Sequence, residues 1–426
     1  MWLRSTAFAV FAAASCMQAS AQPPDTLTLD DAFARVAQSH PDLRLIDGQR
    51  KVLSAEAERA ALRPAWVAGL QVENALGTGD ASGFGQAEIS LTLAGVLERG
   101  GKLDARRALA QTRIDSLALQ RETRRLDLLA EVARRYLAVN AAQEQRRIAD
   151  LDVMQRQRTV AGARQRLAAG ASPESVVLTA QAALARAEME RDRATQRGAA
   201  TRQHLAALWG ERNPAFAVVA GDPLVLPEIS EFAELDALLV STPELARFAD
   251  EQRIGEARLR LARSQATPDL DWQVGMRRLQ ATDDFALIGS VSMPLGNARR
   301  AQPDIRAAEA ELALVGIERE AQGLSLYSTL AEAHGRYRVA QFEVGRLQSD
   351  VLPKLARAEN AAERAYRGGA ISYLEWAQLQ SERTNARKQQ LEAALEAQRA
   401  LIEIQRLTGQ AFVAGPASQT QQETTP

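Results

Sequence analysis

The sequence has few of the residues that build disulfides, metal centres and nucleic-acid interfaces. Its 426 residues include one Cys and three His, so we expect neither a disulfide framework nor a Cys/His metal site. The 52 basic and 53 acidic side chains leave no basic excess of the kind that binds nucleic acid. Aromatic residues make up only 5% of the chain, which is little for the core of a globular enzyme of this size.

Long apolar runs and catalytic motifs are missing as well. Beyond the N-terminus no run reaches the roughly 18 apolar residues of a membrane-spanning helix, so a membrane crossing would need strands. His40, His204 and His334 lie far apart, and there is no nucleophile elbow, phosphate-binding loop or dinucleotide-binding glycine motif. We therefore predict that the protein is not an enzyme, and we expect no catalytic residue, no resident metal and no cofactor.

The N-terminus predicts export. Arg4, the apolar run from Ala7 to Ala14 and the sequence Ala19-Ser20-Ala21 have the order of a signal peptide, which we place at residues 1–21. Cys16 leaves a lipidated N-terminus open, although Ala13 stands where such signals usually have Leu. Cleavage after Ala21 would leave a chain without Cys, which suits an oxidising periplasm.

The rest of the chain contains two similar halves. Four short segments return after 199 to 204 residues, which indicates a duplicated unit. We predict a first repeat at 22–210, a linker at 211–231, a second repeat at 232–409 and a polar, disordered tail at 410–426. The matched segments are His40-Pro41-Asp42-Leu43 with Thr242-Pro243-Glu244-Leu245, Pro64 with Pro268, Gly170-Ala171 with Gly369-Ala370, and Leu208-Trp209-Gly210 with Leu407-Thr408-Gly409.

Each repeat is predicted to contain a long helical hairpin. Ala, Leu, Arg, Glu and Gln dominate the composition, as they do in long helices and coiled coils. The span from Lys102 to about Leu167 lacks Pro and has apolar residues at helical spacing, and as one helix it would be about 100 Å long. In the second repeat, Pro353 is expected to kink the matching helix. The predicted helices run from about Thr28 to Leu62, Lys102 to Leu167, Pro173 to Trp209 and Pro303 to Arg367.

A different periodicity lies between the short and long helices of each repeat. Four segments alternate apolar and polar residues, which predicts two hairpins of strands long enough to cross a bilayer when tilted. Two surface hairpins on a soluble protein would give the same pattern. The four segments are Trp66 to Glu73, Gln86 to Leu93, Leu270 to Arg277 and Phe285 to Met293.

Four strands cannot close a barrel by themselves. The smallest transmembrane barrels have about eight strands, and lipid does not tolerate open strand edges. Several chains would therefore have to share one barrel. Two chains would give eight strands and a filled interior, whereas three would give twelve strands and a conducting lumen. Because the inward side chains are polar, we favour the water-filled pore.

These features together resemble the TolC outer-membrane efflux family. The resemblance covers the chain from about Leu27 to Gly409. A more specific match is Glu98-Arg99-Gly100-Gly101-Lys102 with Arg106 one turn later, which resembles a stretch of the heavy-metal (CzcC-like) branch, although Leu103 replaces its second basic residue. Gly100 and Gly101 suit a strand-to-helix corner, and Glu98 could pair with Lys102 or with Arg106. A purely structural corner would need the same residues.

The resemblance implies a mainly helical fold with a small β part. The duplicated helical hairpins would form a trimeric α-barrel, and four strands per chain would contribute to a twelve-strand transmembrane β-barrel. The expected location is the outer membrane, with a long periplasmic portion. The implied partners are two further copies of the chain, outer-membrane lipid, a periplasmic adaptor and an inner-membrane proton-driven pump.

The resemblance also assigns roles to the turns of the helical hairpins. They would form the periplasmic entrance and meet the hairpins of the adaptor, although every residue involved could equally be an ordinary helix cap. Glu375 stands where relatives carry an acid at the constriction, so three copies would form a gating carboxylate ring; a solvated helix charge is the alternative. The candidate adaptor contacts are Arg166, Gly170, Ser172, Arg367, Gly369 and Ser372.

The predicted function is a passive exit duct of a tripartite resistance–nodulation–division efflux system. Its cargo, implied by the resemblance alone, would be heavy-metal cations of the cobalt/zinc/cadmium or copper/silver type. Two alternatives remain open at this point. One is the same duct for drugs, solvents or a secreted protein, and the other is a soluble periplasmic coiled-coil scaffold.

Overall fold

The computed structural model describes residues 26–219 and 221–412. The predicted signal peptide, Cys16 and all of the predicted tail after residue 412 lie outside these ranges. The described helices are α1 (Leu29–Ser39), α2 (Pro41–Ala60), α3 (Lys102–Asp115), α4 (Leu117–Ala168), α5 (Glu174–Ala206), α6 (Phe232–Leu239), α7 (Pro243–Ser264), α8 (Asn297–Arg346), α9 (Leu352–Arg367) and α10 (Tyr373–Thr408). The strands are β1 (Thr26–Leu27), β2 (Val67–Glu73), β3 (Glu88–Leu97), β4 (Ala217–Val218), β5 (Leu270–Leu279) and β6 (Asp284–Ser292). None of the described helices is both long and apolar enough to cross a membrane.

Two long helical hairpins dominate the molecule. The first joins α4, with 52 residues, to α5, with 33. The second joins α8 and α9 to α10, and α10 packs against both α8 and α4. At about 1.5 Å per residue, α4 alone is roughly 78 Å long.

Two predicted helices are interrupted. The prediction of one helix from Thr28 to Leu62 was wrong, because His40 is extended at φ −65° and ψ 128° and Pro41 begins a new helix. Pro restricts the residue before it and is well suited to the first turn of a helix. The predicted long first helix is also divided, at Ser116, whose hydroxyl donates to the Arg113 carbonyl at 2.9 Å. Such a bond competes with regular helix hydrogen bonding.

The matching helix of the second repeat is irregular near Pro353. A π-helical turn covers Leu347–Val351 directly before α9, and Pro353 lies in the first turn of α9. The predicted start at Pro303 was wrong, because the helix begins at Asn297 and contains Pro303. The N-cap of this helix is Gly296, which has a φ of +85°.

The four long strands form one antiparallel sheet in the order β2-β3-β5-β6. The two predicted hairpins are therefore joined, because β3 pairs with β5 from Glu88↔Leu279 to Leu97↔Leu270. Among the described residues, β2 and β6 each have a strand on one side only. Helices α2, α3, α7 and α8 contact one another in the same order as the strands that adjoin them.

The two faces of this sheet differ in chemistry. One face is apolar and exposed, with Leu70 71% and Leu287 88% accessible. Trp66 and Trp272 meet edge to face on it, 6.2 Å apart, at the end nearest the helices. The other face carries polar side chains, which include Glu73 and Arg277.

Two apolar cores lie near the middle of the long helices. One surrounds Tyr136 and includes the parallel pair β1 and β4. The other surrounds Tyr337 and includes α6. Neither the short strands nor α6 was predicted, because two-residue strands and an eight-residue helix give almost no periodic signal.

Candidate functional site

The strand-to-helix corner after β3 is held by two ion pairs. Arg106 donates to both carboxylate oxygens of Glu98, and its Nη2–Oε2 distance is 2.9 Å. The Lys102 Nζ lies 2.8 Å from Asp269, and the lysine is only 4% exposed. The sequence left open whether Glu98 pairs with Lys102 or with Arg106. In the structure Glu98 pairs with Arg106, and Lys102 pairs with Asp269.

Asp269 was missed by sequence reasoning. It lies directly before β5, far along the chain, and it also accepts a hydrogen bond from the Arg99 backbone N–H at 3.1 Å. Burial raises the pKa of Asp269, but the hydrogen bonds from Lys102 and Arg99 outweigh it and lower that pKa. The Arg106 hydrogen bond likewise lowers the pKa of Glu98. The sequence did hold a hint of this ion pair. Asp269 directly follows Pro268, one of the repeated residues, and Lys102 had no certain partner for its charge.

Gly100 and Gly101 form the corner itself. Both have positive φ, +73° and +70°, which side-chain-bearing residues rarely adopt. A Cβ at Gly100 would lie 2.6 Å from the Thr267 side chain, so this position also requires close approach. The corner thus joins the start of α3 to the segment that leads into β5.

The two hairpin turns have the same backbone geometry. Gly170 and Gly369 end α4 and α9 with φ +70° and +81°. The residue after each glycine donates back to a helical carbonyl, from Ala171 to Arg166 at 2.8 Å and from Ala370 to Ala365 at 2.9 Å. This is the Schellman arrangement, in which a left-handed glycine satisfies free carbonyls at a helix end.

The predicted arginines at the turns have different surroundings. Arg166 donates to the Tyr366 carbonyl and, at 3.3 Å, to the Ala171 carbonyl, and its guanidinium lies 4.8 Å from the Tyr366 ring centre. A Cβ at Gly369 would lie 3.8 Å from Arg166 Nη2. The structure therefore brings the two turns together through Arg166. Arg367 instead pairs with Glu363 at 2.5 Å, and its side chain is 76% exposed.

The predicted serines also differ. Ser372 is the N-cap of α10 and forms a capping box with Glu375. Its backbone N–H donates to Glu375 Oε2 at 2.8 Å, and this bond and the hydroxyl bond lower the pKa of Glu375. Ser172 precedes Pro173, which occupies the N-cap of α5 without a side-chain hydrogen bond. Glu375 thus stabilises a helix start, a role that leaves it exposed to solvent.

An aromatic cluster supports the turns and was not predicted. Tyr366 stacks on Trp376 with ring centres 5.0 Å apart, and Tyr373 lies 6.4 Å from Tyr366. Behind this cluster, Arg156 reaches Ser381 at 3.0 Å, and Gln380 donates to Thr159 at 3.0 Å. Three aromatic residues in one short stretch of a chain with few aromatics could have indicated this core.

No group of three or more His, Cys, Asp or Glu side chains is arranged to hold a metal ion within residues 26–219 and 221–412. The corner and the turns contain ion pairs, caps and aromatic contacts. Their chemistry is that of structural junctions.

The chain belongs to the outer membrane efflux protein family, whose model matches residues 34–211 and 235–410. It is thus an outer-membrane efflux channel of the TolC type. The two matched segments lie on either side of the connection between the halves of the chain.

Individual relatives agree with this assignment. The chain is 29% identical over 321 residues to the cobalt-zinc-cadmium resistance protein CzcC of Cupriavidus metallidurans, and the match covers 74% of this chain and 75% of CzcC. The fold is similar to a membrane protein from Pseudomonas aeruginosa, with a TM-score of 0.75, 17% identity and coverage of 90% and 91%. It is also similar to CusC, with a TM-score of 0.73, 17% identity and coverage of 89% and 91%.

Proposed function

We propose that three copies of this chain form a continuous duct through the outer membrane and the periplasm. The observation that carries the proposal is the sheet order, which leaves β2 at one edge and β6 at the other. Lipid does not tolerate unpaired strand edges, so β2 of one copy pairs with β6 of the next. Because the paired surfaces differ, the contact is heterologous and closes into a ring.

Three copies give twelve strands, which enclose a lumen wide enough for hydrated solutes. The exposed apolar face of the sheet then lies against lipid, and Trp66 and Trp272 lie at the membrane boundary nearest the helices. The same contact joins α2 of one copy to α8 of the next. Exposed apolar side chains on both helices, such as Val52 and Ile317, are thereby covered.

The long hairpins extend from the membrane into the periplasm, where their turns meet a helical adaptor and, through it, an inner-membrane proton-driven pump. Open space around Gly170, where an added Cβ would meet nothing within 4 Å, supports a close contact with the adaptor. Arg166 holds the two turns in one surface. The channel itself needs no catalytic residue and no cofactor, since the pump supplies the energy.

Heavy-metal cations are the proposed cargo. The similarity to CzcC and the Glu98 to Arg106 stretch support this cargo over drugs, solvents or a secreted protein. The apolar exposed face of the sheet argues against a soluble scaffold.

Growth of a deletion strain on cobalt, zinc, cadmium, nickel, copper and silver salts, with organic toxicants in parallel, tests this cargo. Sensitivity to metals that is restored by the cloned gene is the expected result. Sensitivity to organic compounds alone would contradict the metal cargo while leaving the duct in place.

A further inference from the structure

The polar face of the sheet has an uneven charge. Strand pairing places Glu73 opposite Glu88 and Ser90 opposite Arg277, so that these residues share one face. Asp271 and Asp284 lie on the same face, because each stands an even number of residues from Arg277 or from its partner Ala286. This face of β2, β3, β5 and β6 therefore carries four carboxylates and one guanidinium among the described residues.

The guanidinium of Arg277 is already occupied. It donates to Glu88 at 2.7 Å and to Ser90 at 3.0 Å, and it lies 3.3 Å from Glu73. Its positive charge is thus offset by the carboxylates of Glu73 on β2 and Glu88 on β3. The next residue, Arg278, lies on the opposite face, where it contacts Asp283 and the Phe285 ring.

The remaining two carboxylates are Asp271 and Asp284. Within the part of the chain that the structure describes, neither Asp271 nor Asp284 has a basic nitrogen within the 4.0 Å of an ion pair. They lie at opposite ends of the sheet, since Asp271 is near the start of β5 and Asp284 begins β6. One is near the helices and the other is near the far end of the strands.

Among the described residues, the middle row of the same face carries no charge and consists of Gly69, Thr92, Gly275 and Ile288. Thr92 is flanked by Gly69 on β2 and Gly275 on β5. A Cβ at Gly69 would lie 2.8 Å from Thr92 Oγ1, and one at Gly275 would lie 2.5 Å from the Leu91 carbonyl. Glycine is therefore required at both positions, and the charged residues of this face lie toward its two ends.

We propose that the strand barrel itself favours cations over anions, with Asp271 and Asp284 as the residues that determine this preference. This inference rests on the proposed function, because only a closed barrel makes the polar face a lumen. Three copies place a ring of carboxylates at each end, and such rings concentrate cations. At 0.1 M salt the field of each ring extends over about 10 Å. Each ring therefore affects the ions that enter or leave at its own end of the barrel. Arg277 reduces the preference by offsetting Glu73 and Glu88.

Reversal potentials in planar bilayers under a KCl gradient test the proposal with the purified full-length channel. Wild type is expected to show a potential of the sign that marks cation preference. In Asp271→Asn Asp284→Asn the potential should move toward zero, whereas in Arg277→Gln it should move further from zero. Asp283→Asn is the matched control, because Asp283 is adjacent in sequence but pairs with Arg278 on the apolar face.

The possible outcomes separate this inference from the proposed function. An unchanged potential in the double Asn variant, with normal single-channel conductance, would overturn the inference and leave the duct standing. A failure of wild-type protein to conduct at all would overturn the proposed function instead. Arg277→Lys keeps the charge and should match wild type, so a shift in that variant would show that Arg277 acts through folding and not through its charge.

Discussion

Tyr136 and Tyr337 lie 201 residues apart, and each donates a hydrogen bond to the segment that connects the two halves of the chain. Tyr136 donates its hydroxyl to the Val219 carbonyl at 2.9 Å, and the hydroxyl oxygen lies 3.2 Å from the Leu27 carbonyl oxygen. Tyr337 donates its hydroxyl to the Pro227 carbonyl. Both side chains are buried in the two central cores. The two halves of the chain thus have a tyrosine hydrogen bond to the connecting segment in common.

Removal of either hydroxyl should destabilise the protein. Tyr136→Phe and Tyr337→Phe each remove a hydrogen bond between a buried side chain and the connecting segment, and we expect each to lose about 1 kcal/mol of stability. Thermal unfolding in detergent, followed by circular dichroism, measures the effect. Tyr327→Phe is the matched control, since the Tyr327 side chain is 48% exposed. Equal melting temperatures in all variants would contradict the proposed role.

The same tyrosines predict a loss of stability at high pH. Burial raises the pKa of Tyr136 and of Tyr337 to about 12, whereas the unfolded chain titrates at the ordinary value of 10.0. The folded state thus binds these protons more tightly. Their contribution is fully present below pH 10 and is lost as the pH rises toward 12. The double Phe variant should show a smaller fall in melting temperature across that window, and an identical fall would argue against titration of these groups.

Asp269→Asn should disturb the corner more strongly than a surface mutation. It leaves the buried Lys102 ammonium without its partner, and an unpaired buried charge costs about 3 kcal/mol. Outer-membrane level and melting temperature should both fall. Glu309→Gln is the control, because the Arg263–Glu309 pair is half exposed and such pairs contribute little. A normal level and melting temperature for Asp269→Asn would show that Lys102 does not depend on Asp269.

Gly369→Trp should abolish metal resistance if this turn contacts the adaptor. Gly369 has φ +81°, so any side chain adds backbone strain. Gly369→Ala carries that strain without the bulk and is the matched control. We expect resistance with Ala, loss of resistance with Trp, and equal outer-membrane levels for both. Full resistance with Trp would place Gly369 outside the contact.

Glu375→Gln separates charge from helix capping. Gln preserves the capping box, so helix α10 should begin at the same residue. If three copies of Glu375 ring the entrance, the Gln variant should lower cation conductance in planar bilayers. Ser372→Ala is the converse control, because it weakens the cap by about 1 kcal/mol and keeps the carboxylate. Unchanged conductance in Glu375→Gln would place the residue away from the ion path.

Local signals in the sequence were sufficient for the hairpin turns and the strands. Gly170 and Gly369 mark left-handed helix ends, and alternation marks β2, β3, β5 and β6 within a few residues. Contacts between distant residues were not predictable in the same way. Lys102 pairs with Asp269, and Arg166 with the Tyr366 carbonyl, only because β3 pairs with β5 and α4 packs against the second hairpin.

Disulfide formation between the two edge strands tests the ring of three copies most directly. Cys at Leu70 on β2 is combined in turn with Cys at Phe285, Leu287, Gly289 or Val291 on β6, all on the apolar face. Within one copy these strands are about 14 Å apart, too far for a disulfide. Cys16, the one Cys of the sequence, lies in the predicted signal peptide. If three copies form the ring, at least one pair gives a covalent trimer and the single variants give none. Monomers alone, or a covalent dimer without a trimer, would contradict the ring of three.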